Sequence, residues 1–176
     1  KRFQCKEGRK MIKKALKITL SLIMSLGLAL SSLQVTYASE NDFAVIKTRL
    51  KDYFLTQDTI DDGAKVETCY VSKAEDYLKL IQEDGSFDDV DYDATTSAAN
   101  GVAWSPYLAL DRLQAIAIAY HQEGNSLYHD EEVIDKLNQA IIYWGQEDPS
   151  STNWWENQIG VQLRFSRIAL FMEDII

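Results

Sequence analysis

The chain has 176 residues, 18 of them Lys or Arg and 27 Asp or Glu, for a formal charge of −9. Eight of the basic and one of the acidic residues precede Ser39, so residues 39–176 carry 10 basic and 26 acidic side chains, a charge of −16. That charge argues against a nucleic-acid or anionic-membrane partner, whose phosphates it repels, and suits one soluble domain or part of a larger one.

The first methionine is Met11, and residues 11–38 have the layout of an export signal. Lys13, Lys14 and Lys17 form a basic start, residues 18–33 are uncharged and mostly apolar, and Thr36 and Ala38 put small residues at −3 and −1 before Ser39. The rival is an uncleaved anchor, but the stretch holds several serines and is short of the roughly 20 apolar residues that span a bilayer. Residues 11–38 are therefore predicted to be a cleaved signal peptide of a secreted protein. Residues 1–10 have no place in this scheme and are read as an upstream extension, since 6–10 (KEGRK) can be encoded by the purine-rich bases before a bacterial start codon.

The rest predicts an all-α protein. Residues 42–55 carry Phe43, Ile46, Leu50, Tyr53 and Phe54 on one apolar stripe, a first helix facing a core. Residues 66–71 are a weak strand candidate. A second helix is expected over 72–83, with Ser72 and Glu75 as a capping box. Residues 83–100 are rich in Asp, Ser, Thr and Gly and read as a long loop, either functional or a structural clasp. Ser105 as cap and Pro106 at the first helical position start a third helix, running to about His121. A fourth is expected over 130–144, with acids in its first turn, Val133, Leu137, Ile141 and Trp144 inward, and Gly145 and Pro149 as its stop. A last helix runs from about Trp154 or Gln158 to Glu173. It is apolar over most of its circumference, which predicts burial on more than one side. Together with the closing Ile175 and Ile176 this leads us to expect a truncated reading frame, a dimer interface being the alternative.

Metal and cofactor chemistry find little support. Cys69 is the only cysteine after cleavage, and His121 and His129 lack a second ligand at metal spacing, so no metal and no cofactor is expected. Both histidines are read as surface or helix-end residues. The Asp84–Tyr92 stretch, DGSFDDVDY, has alternating acids but lacks the sixth-position Gly and twelfth-position Glu of a calcium loop. The tandem Trp154-Trp155 admits two readings. Adjacent helix positions point about 100° apart, so one indole can enter the core while the other covers a neighbour. Alternatively the two flat apolar faces form a platform for sugar rings.

Taken together, DGSFDDVDY, Trp104 with Pro106, LDRLQAIAIAY at 110–120, Tyr128-His129-Asp130, and AIIYWGQEDPSSTNWWENQIGV at 140–161 resemble polysaccharide lyase family 8, the hyaluronate, chondroitin and xanthan lyases. The resemblance covers nearly all of residues 39–176 in the same order. It implies an α/α-toroid, an incomplete ring of antiparallel helical hairpins, of which this chain would hold the N-terminal part. It implies that Trp154 and Trp155 belong to an aromatic patch that grips an acidic polysaccharide, and that the reaction is β-elimination at a uronic acid. The Asn, His, Tyr and Arg that perform this chemistry in the family belong to later parts of the toroid, so no catalytic residue is assigned here and the segment alone is expected to be inactive. Asn153, Glu156 and Asn157 receive no chemical role. Val161-Gln162 depart from the family, which often has a Pro shortly after the Ile-Gly pair. A non-catalytic carbohydrate-binding module is the second reading. An α/α-barrel glycoside hydrolase ranks last, for want of paired carboxylates about a sugar site.

Overall fold

A computed structural model of the chain describes residues 40–60, 69–97, 103–173 and 175. The leader, the export signal and its cleavage point lie outside the described residues. The chain divides into two compact units, residues 1–43 and 44–176, and of the first only 40–43 are described. Among the described residues no helix is long and apolar enough to cross a membrane.

The class is all-α, with five α-helices and one two-residue strand pair among the described residues. Helix α1, Glu40–Leu55, has no buried residue. This corrects the expectation that its apolar stripe faces the core: Ile46, Leu50 and Tyr53 are exposed. The helix is held by its flank and its last turn instead. Lys47 and Lys51 pair with Glu173 at 2.8 and 3.3 Å, and the Phe54 ring meets Phe171 edge-on. An amphipathic pattern states which face needs covering, not what covers it.

Strands β1, Thr59–Ile60, and β2, Cys69–Tyr70, pair antiparallel with Ile60 opposite Cys69. The strand candidate over 66–71 is thus realised at two residues; 66–68 lie outside the described residues. A 3₁₀ turn, Val71–Lys73, leads into helix α2, Ala74–Leu80. The expected capping box does not form. The Ser72 hydroxyl donates to Asp58, while Glu75 accepts from Lys79 and from the Ser126 hydroxyl. Helix α2 also ends earlier than expected, because Ile81 turns extended to bridge Phe87.

Helix α3, Pro106–His121, is the axis of the fold, and it is buried on all sides from Pro106 to Ala119 save at Leu108. All-round burial was expected of the last helix, not this one. Alanines at 109, 115, 117 and 119 leave room for neighbours to approach closely from several directions. Ser105 does not cap the helix: its backbone is already helical, and its hydroxyl accepts from the Asp91 N–H at 2.9 Å. Helix α4, Glu131–Glu147, is capped by Asp130, whose carboxylate accepts from the Glu132 N–H. Val133, Leu137, Ala140 and Trp144 form its buried seam. It runs through Gly145 and stops at Asp148, which adopts a left-handed φ of 44° before Pro149. The Trp144 indole donates to the Pro106 carbonyl at one end, and the His129 N–H donates to the Tyr120 carbonyl at the other, so α3 and α4 are antiparallel.

Helix α5, Val161–Met172, comes after a five-residue π-helical turn, Glu156–Gly160. It buries Val161, Arg164, Ile168, Phe171 and Met172 and exposes Leu163, one buried face rather than several. Contacts of Tyr107 with Glu156, Asp111 with Arg164, and His121 with Phe171 run in step, which makes α5 parallel to α3. Direction thus alternates along α3, α4 and α5.

Residues 84–97 form a clasp. The Asp84 carboxylate accepts from the Ser86 N–H, Gly85 takes a φ of +94°, and Phe87 is buried. Arg112 of α3 grips Asp89 with two bonds of 2.6 and 2.5 Å, and its guanidinium holds the Asp89 carboxyl below its ordinary pKa. Among the described residues no three His, Cys, Asp or Glu side chains converge as metal ligands.

Candidate functional site

Where the clasp meets the start of the last helix, two indoles face solvent. Trp154 is 62% and Trp155 38% exposed. Large apolar rings on a surface normally find cover, so a pair held outward needs a cause in the surrounding bonds. That cause lies in the residues on either side.

The Asn153 carboxamide accepts from the Trp155 N–H at 3.1 Å, fixing the first turn. Asn157 bonds both ways with Ser151, accepting from its N–H at 2.8 Å and donating to its carbonyl at 2.7 Å. Between them Glu156 is buried. Its carboxylate accepts from the Ser97 hydroxyl at 2.7 Å and from the Ser151 hydroxyl. The Thr95 carbonyl in turn accepts from the Thr152 N–H and from the Ser151 and Thr152 hydroxyls. The three polar residues around the indoles are thus occupied in structural bonds.

The floor beneath is charged and buried. Arg164, fully buried, donates from Nε to Asp111 at 2.8 Å and from a terminal nitrogen to the Gly160 carbonyl at 3.2 Å. Its guanidinium lies 3.6 Å from the centre of the Tyr107 ring. Tyr107 meets Trp104 edge-on, and the Trp104 indole donates to the Ala94 carbonyl. Losing one partner of a buried pair like Asp111–Arg164 costs about 3–5 kcal/mol, so this floor is stiff. A cleft of about 350 Å³ opens beside the turn, lined by Trp144, Pro149, Asn157, Val161 and Phe165 among others; neither Trp154 nor Trp155 lines it.

The other candidates sit elsewhere. His121 ends α3, and its Nε2 lies 2.6 Å from the Phe171 carbonyl, which can only accept, so that nitrogen carries the proton. His129 is exposed and stacks against Tyr128 at 4.1 Å and Tyr120 at 5.3 Å. Sequence reasoning picks out the tandem indoles but misses Glu156 as a buried anchor and the π-helical turn. Both depend on partners far away in the chain, Ser97 and Tyr107.

Comparison with known proteins adds an independent line. The family model described as polysaccharide lyase family 8, N terminal alpha-helical domain, matches residues 55–176. Chondroitinase-AC of Pedobacter heparinus is 36% identical over 101 residues, 56% of this chain and 14% of that protein. Hyaluronate lyase HylB of Enterococcus faecalis is 35% identical over 68 residues, 36% of this chain and 7% of that one. A solved chondroitinase AC lyase, studied as enzyme–oligosaccharide complexes, superposes with a TM-score of 0.56 at 26% identity, covering 72% of this chain and 18% of that one. The chain thus spans about one-seventh of the first of these relatives, and its helices α2 to α5, its clasp and its tandem tryptophans all fall within the region matched by the family model. Because the family's N-terminal helical model matches residues 55–176, more than half of the chain, this chain belongs to polysaccharide lyase family 8.

Proposed function

We propose that this segment is the substrate-gripping, N-terminal part of a secreted lyase that cleaves a uronic-acid polysaccharide of the hyaluronan, chondroitin or xanthan type by β-elimination. The observation that carries it is the outward presentation of Trp154 and Trp155 on a rigid frame. An indole face offers apolar area to the C–H face of a pyranose ring, and its N–H offers a donor to a hydroxyl. The relatives' names, a chondroitinase and a hyaluronate lyase, support the substrate class. The alternating α3, α4 and α5 suit the helical hairpins of an α/α-toroid.

The segment is assigned grip rather than turnover. β-Elimination removes the proton beside the uronate carboxylate, which requires a donor on that carboxylate, a general base, and an acid for the departing oxygen. Three described basic side chains are already committed to structural bonds: Arg164 to Asp111, Arg112 to Asp89, and the His121 ring to the Phe171 carbonyl.

The test is titration of the 176-residue chain with hyaluronan and chondroitin oligosaccharides, monitored by fluorescence, with turnover monitored by the absorbance of unsaturated product. Trp154→Ala and Trp155→Ala are each expected to weaken binding at least tenfold, about 1.4 kcal/mol, with little change in melting temperature. No product should accumulate. Variants that melt earlier but bind normally would make the indoles packing residues.

A further inference from the structure

We propose that Tyr107 is a positioning residue for the sugar-binding face of Trp155, acting through the π-helical turn; the inference rests on the platform reading above. Three features of the turn converge on its hydroxyl. The turn itself is the first. A π-turn is a wide, costly insertion in an α-helix, kept where it re-aims side chains. Here the Glu156 carbonyl accepts from the Val161 N–H, five residues on, and also from the Tyr107 hydroxyl at 3.0 Å.

Gly160 is the second. A Cβ at this position would fall on the Tyr107 hydroxyl, 2.6 Å from its Cζ and 3.0 Å from Cζ3 of the Trp155 ring. The two rings therefore close on the glycine together, and the missing side chain is what lets Tyr107 reach the turn. The third is the stiffness of Tyr107. It is 1% exposed, edge-on to Trp104 and under the Arg164 guanidinium. The hydroxyl is thus the single removable atom joining a fixed core ring to the carbonyl that opens the turn. Without it the turn loses a bond that favours five-residue spacing, and relaxation to α-helical spacing turns the residues before it by about 100°, one residue's angle. Trp155 would then point elsewhere.

The test uses the full chain labelled with 5-fluorotryptophan, whose four indoles, Trp104, Trp144, Trp154 and Trp155, give separate fluorine resonances. Tyr107→Phe keeps the ring and its packing. It is expected to shift the Trp155 resonance, leave that of Trp144 in place, and weaken hyaluronan-oligosaccharide binding about five- to tenfold. Unchanged affinity, an unmoved Trp155 resonance, or collapse of all four signals through unfolding would each overturn the inference. Trp155→Ala is run beside it. If that variant binds as well as the parent, the platform reading fails; if it loses binding while Tyr107→Phe does not, only the role of Tyr107 fails.

Discussion

At the level of single residues, Tyr92 shows how the clasp is tied to the core. Its hydroxyl accepts from the Phe87 N–H at 3.3 Å, and its ring meets Tyr143 of α4 edge-on at 5.1 Å. Burial pushes its hydroxyl pKa up to about 12. The unfolded chain gives up that proton near pH 10, so the folded state holds it more tightly. The neutral phenol therefore contributes stability that is complete below pH 10 and lost as the pH rises towards 12. Two pKa units set a ceiling of about 2.7 kcal/mol, and partial exposure brings the expectation to about 1–2 kcal/mol. Tyr92→Phe should be about 1 kcal/mol less stable than the parent at pH 7, from the Phe87 N–H left unpaired. The gap should narrow between pH 10 and 12, because only the parent has the proton to lose. Urea unfolding at a series of pH values measures it, and a gap constant across that window would mean that the hydroxyl is well solvated.

Among the elements, the loop at 84–97 depends on one backbone geometry. Gly85 has a φ of +94°, and a Cβ there would lie 2.5 Å from the Gln139 carbonyl oxygen on α4. Gly124 has a similar φ of +85° with open space around it. Gly124→Ala should therefore cost about 1 kcal/mol, the strain of a left-handed residue alone. Gly85→Ala should cost about 2–4 kcal/mol, because α4 or the loop must also move. Equal costs in denaturant titration would show that the loop gives way freely. This loop also marks how far the sequence can be read. Its composition allows a clasp or a functional loop without choosing between them, whereas Pro106 and the acids at 130–132 place the starts of α3 and α4 to within a residue. The signals that mislead are those whose partners are distant in sequence. Ser72 and Glu75 look like a reciprocal cap, yet each has a better partner in Asp58 or Ser126. Ser105 bonds Asp91 instead of its own helix. Gly145 reads as a stop, but the left-handed residue is Asp148. The burial of α3 and the exposure of α1 run against expectation, since periodicity ranks faces within a helix and not helices within a fold. At the site the adjacency of Trp154 and Trp155 is legible, while the frame that holds them is not, because its bonds reach Tyr107 and Ser97, far away in the chain.

For the molecule as a whole, charge and proposed substrate have the same sign. Residues 39–176 carry −16, and a uronic-acid polymer adds a negative charge on each acidic sugar. The indoles themselves and the side chains of Ser151, Asn153 and Asn157 that frame them are uncharged, while Glu156 is buried and Arg164 is sealed beneath. Attraction at this surface is therefore short-ranged, and the long-range field opposes approach. Binding that relies on lysines and arginines weakens steeply with salt, as condensed counterions are released. Stacking on neutral indoles against a repulsive background responds the other way. Raising salt from about 10 to 150 mM shortens the Debye length from about 30 to 8 Å, so the net repulsion is screened while the stacking contact is untouched. The affinity of residues 39–176, prepared without the basic residues that precede Ser39, for hyaluronan oligosaccharides should rise about two- to threefold over that range, most of it in the association rate. A steep fall with salt would show that cations carry the grip and that Trp154 and Trp155 are bystanders.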